Sequence, residues 1–359
     1  CIRKDAAGNV VGRREGKKRG PVVMAGSHLD TVINGGKFDG VTGVISALEC
    51  VEILKERNIN TGLPIEVIIF ANEEGSRFPG GLMGSLAVAG KLPPTYAYEI
   101  RDGEGILLAE EMKRWGAKPD LISEASRKGE IRAFFELHIE QGRVLEEAHR
   151  PIGIVNGIAG LHQGKFSISG ECGHAGAIAM RDRKDPMVAA GIIIKKIEEI
   201  ASQSKTGARG TVGYIKAFPG GDNVIPGKVE FTTDFRYIDK QEQSMAEADL
   251  QDYVAKICQN RNLTHQFITN QQAAPVFLDS NVISLMETAV KDCLIPYLLL
   301  PSWAAHDAII MSNICLTGMI FIRSHKGLSH CPQEFSSPED IAAGAELLYS
   351  VLYKTANEY

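Results

Sequence analysis

No apolar run in the sequence approaches the ~20 residues that a membrane-spanning helix requires, and the run at residues 294–300 falls well short of it. There is no basic excess either. Lys and Arg total 39 against 44 Asp and Glu, giving a net charge of -5 and a pI of about 6.0, which argues against a nucleic-acid partner. The seven cysteines are odd in number and form no CxxC pair. In a chain large enough to bury its own core, reduced thiols and a cytoplasmic setting are expected. Internal repeats and low-complexity linkers are missing. The first residue is Cys1, with no Met and no apolar signal stretch. Residues 3–20, polar and basic, read as a loose tail or hairpin before the first strand of a chain lacking its true start. What is present is a globular composition, 44% hydrophobic and 23% charged over 359 residues. That excludes disorder, collagen and coiled coil as the main architecture and suggests roughly two domains.

The first part of the chain alternates strands with helices. Residues 21–26 read as a buried strand, 41–57 as a helix with apolar residues at a helical period, 65–70 as a β-branched strand and 133–139 as another. This order predicts an α/β sheet with active residues at strand ends. The middle changes character. Strands are expected at 165–170, 211–217, 228–236 and 264–268, and helices at 185–201 and 241–258, the pattern of a small inserted α+β sandwich. After Pro275 the α/β style returns, and Ser337-Pro338 marks the cap and first turn of a last helix.

Four segments place metal-type ligands in or after apolar strands. GSHLDTV at 26–32, followed by NGGKFDG at 34–40, offers His28, Asp30 and Asp39. Spaced two apart in extended chain, His28 and Asp30 point to one side, so Asp30 is placed to orient the imidazole. ANEEGSRF at 71–78 offers Glu73 and Glu74 at a strand end. One can bind metal while its neighbour reaches water. FELHIEQG at 135–142 holds His138 in an alternating strand, and GLSHCPQE at 327–334 holds His330 in a loop. Singly, each has a bland reading: a satisfied core histidine, a solvated charge pair, an exposed loop. Together, three histidines and two or three carboxylates suit a dinuclear site of Zn, Mn or Co type.

GSHLDTV, NGGKFDG, ANEEGSRF, LHIEQG, NVIPGKVEFTTDFR at 223–236, AHDA at 305–308 and GLSHCP resemble, in order and spacing, the amidase/carbamoylase branch of the M20 metallopeptidase superfamily. The resemblance implies an α/β zinc-peptidase-like catalytic domain (1–157 and 275–359) with an inserted smaller α+β lid and dimerisation domain (158–274). It implies further residues ahead of Cys1. By the same resemblance, Asp39 bridges two divalent metal ions, His28 and His138 complete one, and Glu74 and His330 the other. Glu73 is the general base. His174, Asn223, Arg236 and Gln141 match the family's substrate contacts, with His174 also assisting catalysis. Asp30, His306 and Asp307 stand behind the ligands. Related peptidases usually carry a carboxylate at the position of His138, which favours the amidase branch.

The activity so implied is hydrolysis of a linear, non-peptide C–N bond in a ureido or N-carbamoyl acid, with release of ammonia and carbon dioxide. Allantoate and N-carbamoyl-L-amino acids are the named substrates, and a homodimer is implied. Residues 30–36 resemble the allantoate enzymes more than the carbamoylases. A dipeptidase or aminoacylase on the same fold is the alternative, and a scaffold that has lost its metals a third reading; the sequence shows no lost ligand or base. Two departures from the family pattern stand out. HAGAIAM at 174–180 lacks two hydroxyls and a proline of the usual loop, and Trp303-Ala304-Ala305 replaces Gly-Ala-Gly before His306.

Overall fold

The structure, a computed structural model, describes residues 1–357. It divides into one unit built from Cys1–Asn156 together with the chain from Phe277 onward, and a second from Gly157–Val276.

A mixed sheet runs through the first unit. Its strands lie in the order Ile2–Lys4, Val10–Arg14, Ile65–Phe70, Val22–His28, Ile131–Ile139, Leu316–Ile322, Ile152–Ile158. The four from Ile65–Phe70 to Leu316–Ile322 are mutually parallel. Ile152–Ile158 turns antiparallel to its neighbour, and Tyr297–Ser302 also pairs with it. Parallel strands covered on both faces read as continuous apolar runs rather than alternating ones. Val22–His28 obeys this, with all seven residues buried. Alternate residues nonetheless sort by face. Val23 and Ala25, Ile65 and Val67, and Phe135, Leu137 and Ile139 join one core with Ala47, Cys50 and Leu54 of the helix Val41–Glu56. Val282 and Met286 of Ser280–Asp292 and Leu347, Leu348 and Val351 of Pro338–Asn357 complete it. Ser337 caps the last helix, its hydroxyl accepting the N–H of Asp340 at 3.1 Å.

The second unit holds an antiparallel sheet, ordered Ile215–Phe218, Lys228–Tyr237, Gly160–Ser169, Thr264–Ala273, with Arg209–Thr211 paired to the far end of Lys228–Tyr237. Strict alternation of buried and half-buried residues along Lys228–Tyr237 shows one covered face. Phe231, Phe235 and the facing Phe166 pack there against Ile193 and Ile197 of Pro186–Ser202 and Val254 of Lys240–Asn260. Asp185 caps the first of these helices, accepting from Met187 N at 2.9 Å.

Two expectations are corrected. Of the two readings for residues 3–20 the hairpin holds and the loose tail does not, but it lies in the sheet rather than before it: Ile2–Lys4 pairs antiparallel with Val10–Arg14, which pairs in turn with Ile65–Phe70. The stretch 211–217 is two short strands, interrupted at residues 212–214 where the chain leaves the sheet beside Gly213.

Candidate metal centre

The cluster forms where the parallel strands end, the edge at which an open α/β sheet leaves its crevice. His28 is the last residue of Val22–His28, and His138 the last but one of Ile131–Ile139. Glu73 and Glu74 follow Ile65–Phe70 after Asn72 reverses the chain at φ 51. His330, itself at φ 56, lies in the loop after Leu316–Ile322. Asp39 stands just ahead of the helix Val41–Glu56. Its neighbour Gly40 has φ 64, and a Cβ there would fall 2.4 Å from His28 Cε1. Only glycine brings the loop this close to the imidazole.

Asp39 is the hub. Its Oδ1 lies 3.4 Å from His28 Nε2 and 3.0 Å from His138 Nε2, and its Oδ2 lies 3.3 Å from His330 Nε2. Glu74 Oε1 is 3.8 Å from His330 Nε2, and Glu73 Oε2 is 3.8 Å from His28 Nε2. Three triads able to hold a cation result among the described residues: His28, Asp39, His138; His28, Glu73, Glu74; and Asp39, Glu74, His330. In each, the ligand atoms lie within 4.8 Å of one another. The first triad is wholly buried; the last opens to solvent at His330, whose side chain is 49% exposed.

The electrostatics follow from crowding charges out of water. Burial opposes ionisation of Asp39, yet the charge and hydrogen bond of His138 and the hydrogen bonds of His28 and His330 hold its carboxyl far below the carboxylate range. Burial is the largest influence on His28 and His138 and opposes their protonation, but the surrounding carboxylates together raise both: Asp39, Glu73 and Asp307 for His28, Asp39 and Glu136 for His138. Burial pushes Glu73 well above the ordinary glutamate value, with Asp307 and Glu74 adding to the effect against the attraction of His28. Imidazoles with raised proton affinity around a stripped carboxylate are what a cation-binding pocket shows before a cation replaces the protons.

Ring orientation is fixed from behind. His28 Nδ1 lies 2.8 Å from the Asp30 carbonyl and His138 Nδ1 2.9 Å from the Ile139 carbonyl, so each presents Nε2 to Asp39. Here the expectation for Asp30 is corrected. Its carboxylate is 3.9 Å from His28 Nδ1 and instead accepts the backbone N–H groups of Glu73 at 3.2 Å and Glu74 at 3.0 Å. The strand stops at His28, so its alternation does not carry over to Asp30. Gln141, expected to face substrate, donates its amide to Asp39 Oδ2 at 2.6 Å. His306 Nε2 is 2.9 Å from Ser302 Oγ, its ring edge-on to His138 at 4.5 Å. Asp307 is fully buried at the start of the helix Asp307–Met311.

Residues 173–236 supply the remaining candidates, all within the second unit. His174 is exposed on a two-residue strand paired with Val224–Ile225, and the Asn223 carbonyl accepts Ala175 N at 2.9 Å. Arg236 pairs with Asp234 on the same strand, Nε to Oδ1 at 3.1 Å and Nη2 to Oδ2 at 3.3 Å.

Two buried carboxylates escaped the sequence reading. Glu136 accepts Ser27 Oγ at 2.7 Å and Ala308 N at 2.9 Å beneath the two strand histidines. Its signal was the i, i+2 spacing to His138, which puts both on one face. Glu334 reaches the Asp39 loop from the His330 loop, and its position four residues past His330 was the only hint.

Comparison with known proteins agrees with this picture. The chain is 48% identical to an N-carbamoyl-L-amino acid amidohydrolase of Geobacillus stearothermophilus, over 99% of this chain and 87% of that one. It is 37% identical to an allantoate amidohydrolase of Bacillus subtilis, over 99% and 86%. The crystal structure of an amidase of the hydantoinase/carbamoylase family from Burkholderia multivorans superposes with a TM-score of 0.89 at 33% identity, covering 99% of this chain and 86% of that one. Residues 24–354 match peptidase family M20/M25/M40, and the chain belongs to that family.

Proposed function

We propose that the chain hydrolyses a linear C–N bond of an N-carbamoyl or ureido acid on a pair of divalent cations of Zn, Mn or Co type. One observation carries the reading: Asp39 lies between three imidazoles, with Glu73 half-buried beside them. The residues fit such a pair. The donor set is mixed imidazole and carboxylate, which suits these ions better than Mg or Ca. Glu74 Oε1 is buried without a hydrogen-bond partner, an acceptor left for a cation. His28, His138 and Asp39 hold the inner position, Asp39, Glu74 and His330 the outer. Such cations, when bound, polarise a carbonyl and make water nucleophilic at neutral pH.

Glu73 does the proton work. Its carboxylate takes the proton of the attacking water and passes it to the leaving nitrogen, and burial that raises its pKa suits it to hold that proton in between. His174 donates to the oxygen that becomes anionic as the carbonyl carbon turns tetrahedral. Arg236 offers a planar fork to the substrate carboxylate, and Asn223 a further polar contact. With an N-carbamoyl substrate the products are the free amine and a carbamate, which decays to ammonia and carbon dioxide. The higher identity to the N-carbamoyl-L-amino acid amidohydrolase favours N-carbamoyl amino acids over allantoate, against the resemblance of residues 30–36. The second unit is assigned to dimerisation, and the seven free thiols support a reducing, cytoplasmic setting.

A substrate panel read by ammonia release tests this, with Mn²⁺ and Zn²⁺ supplied separately to N-carbamoyl amino acids, allantoate and ureidoglycolate. Dipeptides and N-acyl amino acids, read by amine release, form the opposing arm. Turnover confined to that arm would replace the amidohydrolase reading with a peptidase or deacylase one.

A further inference from the structure

Glu334 is buried, and its carboxylate ties together two loops from opposite ends of the chain. Oε1 accepts the backbone N–H of Phe38 at 2.9 Å and of Asp39 at 3.0 Å, the latter 295 positions away in sequence. Oε2 accepts the Ser329 hydroxyl at 2.9 Å, and that hydroxyl also lies 3.0 Å from Asp39 Oδ2. The Glu334 N–H donates to Cys331 O at 3.1 Å, closing the turn that follows His330. His330 sits just ahead of this turn at φ 56, a conformation that a non-glycine residue keeps only where its surroundings over-determine it.

These contacts fall unequally on the two halves of Asp39. Oδ1 faces His28 and His138, which are anchored in buried strands. Oδ2 faces His330, Ser329 and Gln141, which lie in loops. We propose that Glu334 is a positioning residue that sets the affinity of the outer cation position (Asp39, Glu74, His330) and leaves the inner one (His28, Asp39, His138) nearly untouched. The inference rests on the two-cation reading above. Ser329 supplies a reason for the carboxylate. It has one hydrogen for two acceptors, and were Asp39 to hold a cation, that hydrogen would turn to the other acceptor. Glu334 Oε2 is placed to receive it, so the hydroxyl is not left unpaired when the outer position fills.

Equilibrium dialysis of the full chain against Mn²⁺, with metal content measured directly, tests the assignment in the wild type, Glu334→Ala, Glu334→Gln and Ser329→Ala. The wild type is expected to bind two ions. Glu334→Ala should weaken the looser ion about 10–100-fold, the range for groups supporting metal ligands, and shift the tighter one by less than about twofold. Glu334→Gln keeps an acceptor for the two N–H groups and should recover part of the loss. Ser329→Ala should weaken the same ion, and it carries the test should Glu334→Ala fail to fold. Unchanged affinities in the folded variants, or equal weakening of both ions, would overturn the role of Glu334 alone. Fewer than two ions in the wild type would overturn the two-cation reading and this inference with it.

Discussion

Glu73 and Glu74 are neighbours in sequence whose backbones are both pinned by Asp30, yet their carboxylates meet different partners. Glu73 faces His28 and Glu74 faces His330. Glu73→Gln keeps the shape and removes the proton acceptor. It should retain its cations and lose about 10²–10⁴ of turnover, with metal analysis beside kinetics as the measurement. Glu66 poses a different problem, far from catalysis. Its fully buried carboxylate meets Arg3, Arg13 and Arg127 at 3.4, 3.1 and 3.0 Å. Burial opposes ionisation, but these guanidinium groups, Arg127 foremost, hold its pKa below the usual value. A depressed folded-state pKa stabilises above the unfolded value, about 4.3 for glutamate, and that stability is lost as pH falls through the folded value. Glu66→Gln should therefore cost about 3 kcal/mol at neutral pH and flatten the stability profile below pH ~4.5. Denaturant titrations across pH 3–7 read both effects, and an unchanged acid slope would show that other carboxylates govern it. At this scale the candidate ligands were legible only as a set, because four segments each bring a metal-type side chain to an apolar strand or the loop after it. Glu136 and Glu334 were not, since a lone buried carboxylate looks like any other until its hydrogen-bond donors are known.

Secondary-structure elements place these groups through close approaches. The helix Val41–Glu56 crosses Ile131–Ile139 at Gly43, where an added Cβ would fall 2.2 Å from the Leu137 carbonyl oxygen. Gly43→Ala would push apart the elements that carry Asp39 and His138. A loss of about 1–3 kcal/mol is expected from such overpacking, together with weaker Mn²⁺ binding; thermal unfolding and dialysis on one preparation measure both. Unaltered metal affinity beside a lowered melting temperature would separate the packing role from the site. Elements with strong apolar periods were legible to within a few residues. Strand 65–70 matched at both ends, and the helix expected at 41–57 ends one residue earlier. The departures have separate causes. Val10–Arg14 carries Arg13 and Arg14 because it lies toward the sheet margin, where polar residues blunt an edge and erase the hydrophobic signal. The break within 211–217 occurs at a glycine whose effect on the chain depends on the neighbouring strand.

For the molecule as a whole, cation binding and folding are linked, because ligands from residue 28 to residue 330 meet only in the native chain. Saturation at 100 times the dissociation constant adds about 2.7 kcal/mol per site. Addition of Mn²⁺ to chelator-treated protein should raise the melting temperature by several degrees, and the rise should be lost in His138→Ala. No shift at saturating metal would break the link. The two-unit division leaves the order of assembly open to physical reasoning. Leu316–Ile322 inserts between Ile131–Ile139 and Ile152–Ile158, both made long before it. Any sheet built from the earlier strands before those residues are made would carry a vacant slot flanked by unpaired amides, an invitation to foreign strands.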